Sequence, residues 1–239
     1  MIIRPISKKE AVDYCKLHPH APSVPNSSKY YIAAFNGVNF LGLAVWGWGI
    51  VPAQTPKKLF GKGMTSDYLE LSRFFVVDGA KKNSASKFLN LTAKLIKKYD
   101  KKVKYLYTYA AGFQGLIGTI YQAAGYKYIG TITCKFPYIE GVGLVHPISL
   151  YHRYKKTSPK YLKKIFGDKY SVLSGLNFCY IKFLCNKKEE KELMNSAKFE
   201  ILKYPSKTDL KIWDENGSYI DPLVAKEIPI VKLKSKIVH

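Results

Sequence analysis

The sequence predicts a mixed α/β (α+β) fold, with a mostly antiparallel central sheet flanked by helices and a basic C-terminal extension. Three stretches predict it. Residues 30–35 and 40–48 read as two β-prone strands joined at Asn36-Gly37, a hairpin turn signal. Residues 68–77, YLELSRFFVV, form the strongest strand signal and run into the polar loop DGAKKNSAS and a helix over 87–99. Gly118–Gly130, GTIYQAAGYKYIG, reads as a helix that stops at Gly125 and feeds a strand over 126–129.

Ahead of these, residues 1–6 are a short strand. Ser7 caps a helix that reaches about Leu17, with Glu10 completing a capping box. The segment His18-Pro-His20-Ala-Pro-Ser-Val-Pro25 holds three prolines within seven positions, which forbids a helix and predicts a fixed, extended loop. Its alternate histidines, His18 and His20, are the candidates to hold a metal, orient a base or bind phosphate. Residues 49–67 carry Pro52, Pro56, Gly61 and Gly63 and are expected to be irregular. Trp46 and Trp48 share one strand face, a core position.

In the helix over 87–99, Phe88, Leu91, Thr92, Leu95 and Tyr99 recur at three- and four-residue spacing and predict a buried stripe. Strand, tight polar loop, helix is a phosphate-binding geometry, because the amides of the first helical turn and the helix dipole point at whatever the loop encloses. Residues 101–109 form the next strand, and 112–118 link it to the helix that carries Tyr121.

Composition narrows the function classes. The chain has 239 residues and is 47% hydrophobic, which suits one large core or one core with an appendage. No run approaches the ~18 apolar residues of a membrane span, and MIIRPISKKE lacks the order of a signal peptide, so a cytoplasmic protein without membrane partners is expected. Cys15, Cys134, Cys179 and Cys185 form no CxxC pair, which argues for buried thiols rather than a zinc ribbon or disulfide framework. Lys+Arg 39 against Asp+Glu 17 gives a net charge of +22, a balance that favours a polyanionic partner.

Beyond residue 130, 141–147 read as a strand ending in His146-Pro147, 148–156 and 159–166 as helices, 171–185 as strands and 187–197 as a short charged helix. Seven Lys/Arg and a single acid lie between Tyr151 and Tyr170. His146, Arg153, Lys155, Lys156, Lys160, Lys163 and Lys164 are therefore the local candidates for contact with a DNA backbone. Residues 207–239, with strand-like IPIVKLK, look peripheral.

The order of elements, with the tyrosine placed before a capping glycine, resembles the GNAT acyltransferases. In that fold two adjacent strands splay apart around a thioester, and the resemblance implies that Tyr121 is general acid to the departing thiolate. GNAT enzymes grip the coenzyme A pyrophosphate through Arg or Gln, two residues, Gly, one residue, Gly or Ala. Lys81, Lys82, Asn83, Ser84, Ala85 and Ser86 occupy that place, with serine at both small positions, where a side chain hinders the closest backbone approach.

More narrowly, LELSRFFVVDGAKKNSASKFL, YTYAAGFQGLIGTIYQAAGYKYIG, GLVHPISLYHRYKKTSPKYLKKIFG and FEILKYPSK resemble the Mom-type phage proteins, a GNAT-related group that modifies adenine in DNA and so protects the genome from restriction. This resemblance implies a transferase that adds an acetamido (carbamoylmethyl)-type group to the N6 amino group of adenine, acting on double-stranded DNA in the host cytoplasm. It implies acetyl-CoA or a related acyl donor, and iron at His18 and His20 as a candidate metal; no protein partner is implied. It points to His18 or His20, Arg73, Ser84, Ser86 and Tyr121 as site residues, with Arg73 set against DNA. One position departs: an aspartate in a FADG-like turn is replaced by Ala111, which cannot ionise.

The expected organisation is a GNAT-like catalytic domain at 1–135, a basic α/β extension at 136–206 that contacts DNA, and a tail at 207–239. An ordinary GNAT N-acetyltransferase acting on a protein or small amine, or a non-enzymatic DNA-binding protein on a GNAT scaffold, are the alternatives. The adenine amino group is a poor nucleophile, since its lone pair is delocalised into the ring. Any transfer to it needs a positioned base, and reaching it in a duplex needs base flipping.

Overall fold

Helix α1 (Lys8–Lys16) begins where the sequence places it. The Ser7 amide and hydroxyl donate to the Glu10 carboxylate at 2.8 and 2.9 Å, and the Glu10 amide returns a bond to Ser7 Oγ at 3.2 Å. This reciprocal cap is worth about 1 kcal/mol. The computed structural model describes residues 1–16, 23–49, 51–145, 147–221 and 230–231. The chain divides into two compact units that interleave in sequence. The first comprises Met1–Tyr109, Gly118–Gly130 and Cys179–Tyr204, and the second comprises Ala110–Ile117, Thr131–Phe178 and Pro205–His239.

In the first unit, β1 (Ile2–Pro5), β2 (Ser28–Asn36), β3 (Asn39–Gly47) and β4 (Tyr68–Val76) pair antiparallel in chain order. Strand β5 (Tyr105–Ala111) joins β4 in parallel, and the order continues to β8 (Tyr170–Phe183) and β6 (Lys127–Ile139). Four antiparallel-paired strands thus meet a parallel step at β4–β5, and the mixed α/β class is as predicted. Helix α3 (Ser84–Tyr99) supplies the long crossover that a parallel β4–β5 pair requires. Helix α4 (Thr119–Ala123) stops before Gly125, whose φ of +72° is the left-handed turn anticipated there. Two clusters among the described residues lie in the core of this unit. One gathers Phe60, Tyr68, Tyr105, Tyr107, Ile129, Cys179 and Ile181, with Trp48 against it; the other gathers Ala11, Cys15, Leu43, Val45 and Phe75.

Several expectations need correction. The stretch expected to be irregular over 49–67 contains helix α2 (Gln54–Phe60) and a 3-10 turn at Thr65–Asp67. Pro56 is compatible because it sits in the first helical turn, where no intrahelical N–H is needed. Helix α3 starts at Ser84 rather than 87, because Asn83 turns left-handed at φ +65° and releases Ser-Ala-Ser into the first turn. Its buried stripe is Phe88, Leu89, Thr92, Ala93 and Ile96, while Tyr99 is exposed.

In the second unit, β7 (Gly143–Val145) pairs antiparallel with β6 and parallel with β11 (Ile230–Val231). Strand β9 (Ile212–Trp213) pairs with β8 and with β10 (Tyr219–Ile220). Strand β6 runs nine residues beyond 130, and 171–185 form one long strand instead of several, because both strands pass from one unit into the other. Helices α5 (Pro147–Tyr154) and α6 (Pro159–Phe166) pack Leu150 and Leu162 with Ile139, Val145 and Tyr170. Helix α7 (Lys187–Asn195) belongs to the first unit and carries its own capping box, Asn186 with Glu189.

Candidate functional site

Strands β4 and β5 are in register only at Tyr68 with Tyr105, Leu69 with Leu106 and Glu70 with Tyr107. Beyond Glu70, β4 continues on β3, and β5 goes its own way to Ala111. The two strands therefore part at Glu70, leaving backbone and side chains of both facing an opening. A β-bulge at Ser72 follows at once: Leu71 pairs with Trp46 and Arg73 with Val45, and the extra residue sends its hydroxyl to the Val45 carbonyl at 3.0 Å. Bulges beside active sites re-aim side chains.

Glu70 is the residue that sequence reasoning missed. Burial, with no compensating cation among the described residues, pushes its carboxyl up to about 7, so the group is divided between acid and carboxylate at neutral pH. Gly49, at φ +69°, lies against it, and a β-carbon there would run into the Glu70 carboxylate. A half-buried carboxyl tuned near the working pH is what a general base needs. In YLELS it reads as the polar position of an alternating strand, and the nearest signal in the sequence was its place on the strand before the phosphate-type loop.

Tyr121 projects from α4 into the same unit. Its ring centroid lies 5.4 Å from that of Tyr180 and 5.9 Å from that of Tyr126. Burial raises its pKa, so it stays protonated across the neutral range. Tyr109, two residues past the last β4–β5 pair, feels Glu70, Arg73 and Tyr121; enclosure of its hydroxyl end first and then Glu70 push that group up to about 12, while 38% of the residue stays exposed. The helix bearing Tyr121 is pinned from outside its own sequence. Lys182 Nζ donates to the Ala124 carbonyl at 2.6 Å and to Asn90 Oδ1 at 2.9 Å, and sits 5.4 Å over the Tyr126 ring.

At the far end of β4 the loop 78–83 leads into α3. Lys81, Lys82, Asn83, Ser84 and Lys87 line a cleft of about 610 Å³ together with Asn36, Asn39 and Phe40. Three ammonium groups outnumber the Asp78 carboxylate that shares the cleft, and with the first turn of a 16-residue helix they suit a pyrophosphate. Ser86 Oγ donates to the Asn83 carbonyl at 3.2 Å, closing the turn, and Ala85 lies between the two serines in that first turn. The residues thus fit the anionic part of a CoA-type donor.

Arg73 stays in the middle of β4, donating from Nε to the Ser23 carbonyl at 2.9 Å and from Nη1 to the Ser72 carbonyl at 2.6 Å. His18, His20 and His146 lie outside the described residues. Among the described residues no group of three His, Cys, Asp or Glu side chains could hold a metal ion, and no helix is long and apolar enough to cross a membrane. In the second unit, Lys155, Lys156, Lys160, Lys163 and Lys164 are exposed on or beside α5 and α6, and the Arg153 guanidinium lies 5.3 Å over the Tyr154 ring. Ala111 ends β5 and precedes a 3-10 turn at Gly112–Gln114.

The Mom protein family matches residues 1–206. The chain belongs to that family. It is 25% identical over 181 residues to methylcarbamoylase mom of Escherichia phage Mu, covering 75% of this chain and 73% of that protein. Among solved structures it is similar to an N-acetyltransferase from Staphylococcus aureus Mu50, with a TM-score of 0.45 and 14% identity over 77% of this chain and 98% of that one. It is also similar to the aminoglycoside acetyltransferase AAC(6')-Ib in complex with coenzyme A and kanamycin, with a TM-score of 0.46 and 10% identity over 80% and 98%. In this Mom-family chain Glu70 is a half-buried carboxyl of the first unit, and the position expected to carry aspartate in relatives is Ala111.

Proposed function

We propose that this protein transfers an acetamido (carbamoylmethyl)-type group to the N6 amino group of adenine in double-stranded DNA. Membership of the Mom family supports phage DNA modification by a transferase. The observation that carries the chemistry is the Glu70 carboxyl, held near neutrality where β4 and β5 part, in the same unit as a protonated Tyr121. Two groups whose environments keep one ready to accept a proton and the other ready to give one make an acid–base pair.

Formation of a bond at N6 requires loss of one of its two protons. Glu70 accepts that proton, which restores the nitrogen lone pair as the new bond forms. Tyr121 holds its proton at Oη for the leaving atom. A CoA-type donor would supply the carbon that bonds to N6 and the leaving atom that departs from it with the electron pair. Lys81, Lys82, Lys87 and the first-turn amides of α3 would bind its phosphates, and Ser84 would bond to them from the same turn. A carbamoylmethyl product requires that carbon to be a methylene, so the N6–CH2 bond would form as the bond from that methylene to the leaving atom breaks; attack on a thioester carbonyl would give an amide instead. The lysines of α5 and α6 would contact the DNA backbone.

The test is mass spectrometry of nucleosides from the DNA of cells that express the chain. A heavier deoxyadenosine is expected with the parent protein and is lost in Glu70→Gln and Tyr121→Phe. Unmodified DNA from abundant, folded parent protein would overturn the proposal. Release of coenzyme A that does not depend on DNA would instead identify an ordinary amine acetyltransferase, which the same acid–base pair could serve.

A further inference from the structure

A flipped adenine loses its stacking on both faces, and an enzyme that accepts it must return some of that energy. The chain has 19 tyrosines, and sequence alone does not say which of them could do this. The first unit narrows the choice. Tyr68, Tyr105 and Tyr126 are fully enclosed, Tyr107 is 9% exposed with its hydroxyl donating to Cys179 Sγ at 3.1 Å, and Tyr121 and Tyr180 pack against each other. Tyr99 and Tyr204 are open to solvent, but Tyr99 ends α3 and the Tyr204 hydroxyl is tied to the Tyr126 carbonyl at 2.8 Å, away from the β4–β5 parting. Tyr109 is different. It is 38% exposed, lies on β5 two residues beyond the Glu70–Tyr107 pair where β4 has already parted, and is close enough to Glu70, Arg73 and Tyr121 to feel all three.

A partly exposed aromatic ring anchored on a strand instead of a mobile loop is a stacking platform. Its strand fixes it at the edge of the opening into which Glu70 is set, so a base lying on the ring would bring its amino group toward the carboxylate. Resting on the DNA-modification reading above, we propose that Tyr109 is the residue on which the acceptor adenine stacks. Stacking needs the ring and not the hydroxyl, and it needs no chemical step.

Both properties shape the test. The purified full chain and its Tyr109→Phe and Tyr109→Leu variants are titrated with a fluorescent single-stranded oligodeoxyadenylate, whose bases need no flipping. The same backbone carrying abasic sites gives the electrostatic contribution to be divided out. The parent and Tyr109→Phe are expected to prefer the adenine oligonucleotide equally, and Tyr109→Leu to lose that preference by roughly 5- to 150-fold, the range for one base on one aromatic ring. A preference that survives in Tyr109→Leu overturns the assignment, and so does an equal loss in Tyr109→Phe, since the ring would then not be the binding element. Thermal melting of the three proteins checks that each is folded. The nucleoside measurement is separate: absence of modified adenine with the stacking pattern intact would remove the transfer chemistry and leave Tyr109 as a base-binding residue.

Discussion

Glu70→Gln should make the protein more stable and inactive at the same time, with a pH dependence that identifies the cause. The substitution keeps size and polarity and removes the ionisation. The carboxyl titrates at about 7 in the fold, against 4.5 for an open glutamate. At 1.36 kcal/mol per pH unit, this is a cost of about 3 kcal/mol for holding the ionised form in place, an upper figure because the side chain keeps some solvent contact. The folded state binds more protons than the unfolded state between these two pH values, so stability falls as pH rises through that window, and the full cost is present above pH 7. Glutamine escapes it. The variant should therefore gain on the parent by an amount that grows by roughly 2.5 kcal/mol between pH 5 and pH 8, read by urea unfolding at each pH. Modified adenine should disappear in the same variant at every pH, and parent activity should rise as pH passes through about 7. A stability difference that does not change with pH would show that Glu70 is not a buried, suppressed acid. Full activity in the glutamine variant would remove it as the base.

Other outcomes follow from named contacts. Tyr121→Phe keeps the ring contacts with Tyr180 and Tyr126 and loses only the hydroxyl, so DNA binding should persist while product falls by about 10²- to 10⁴-fold; loss of binding in parallel would point to misfolding instead. Lys182→Met leaves the Ala124 carbonyl and Asn90 without their shared donor, which should cost about 1–3 kcal/mol of stability and lower kcat more than it raises KM, since it loosens the helix that carries Tyr121. Recovery of both in Lys182→Arg would fit a positioning role. Replacing Lys160, Lys163 and Lys164 together by Ala should lower the salt slope of DNA binding by up to about 2.7, at roughly 0.9 per phosphate contact. An unchanged slope would place the backbone contacts elsewhere.

Local chemistry was readable along the chain wherever a few neighbouring residues decide the outcome. The Ser7–Glu10 cap, α6 from Pro159 to Phe166, the turn before Gly125 and the β4–loop–α3 order are settled within short windows by hydrogen-bonding side chains, proline placement and left-handed glycine. The Mom-type motifs were legible for the same reason, since they are runs of consecutive residues. Where long-range neighbours decide, the sequence was silent or misleading. Helix α2 forms in a stretch rich in turn residues because Pro56 and Phe60 are buried, and the α3 stripe is rotated toward Leu89 and Ile96 by what packs on it. The identity of the base is the clearest case. Glu70 has an ordinary carboxyl in YLELS, and only tertiary structure, by setting Gly49 and the buried tyrosines around it where β4 leaves β5, removes enough water to move it to neutrality. Desolvation is a sum over atoms distant in sequence, so no local pattern encodes it, whereas caps and turns are complete within four residues.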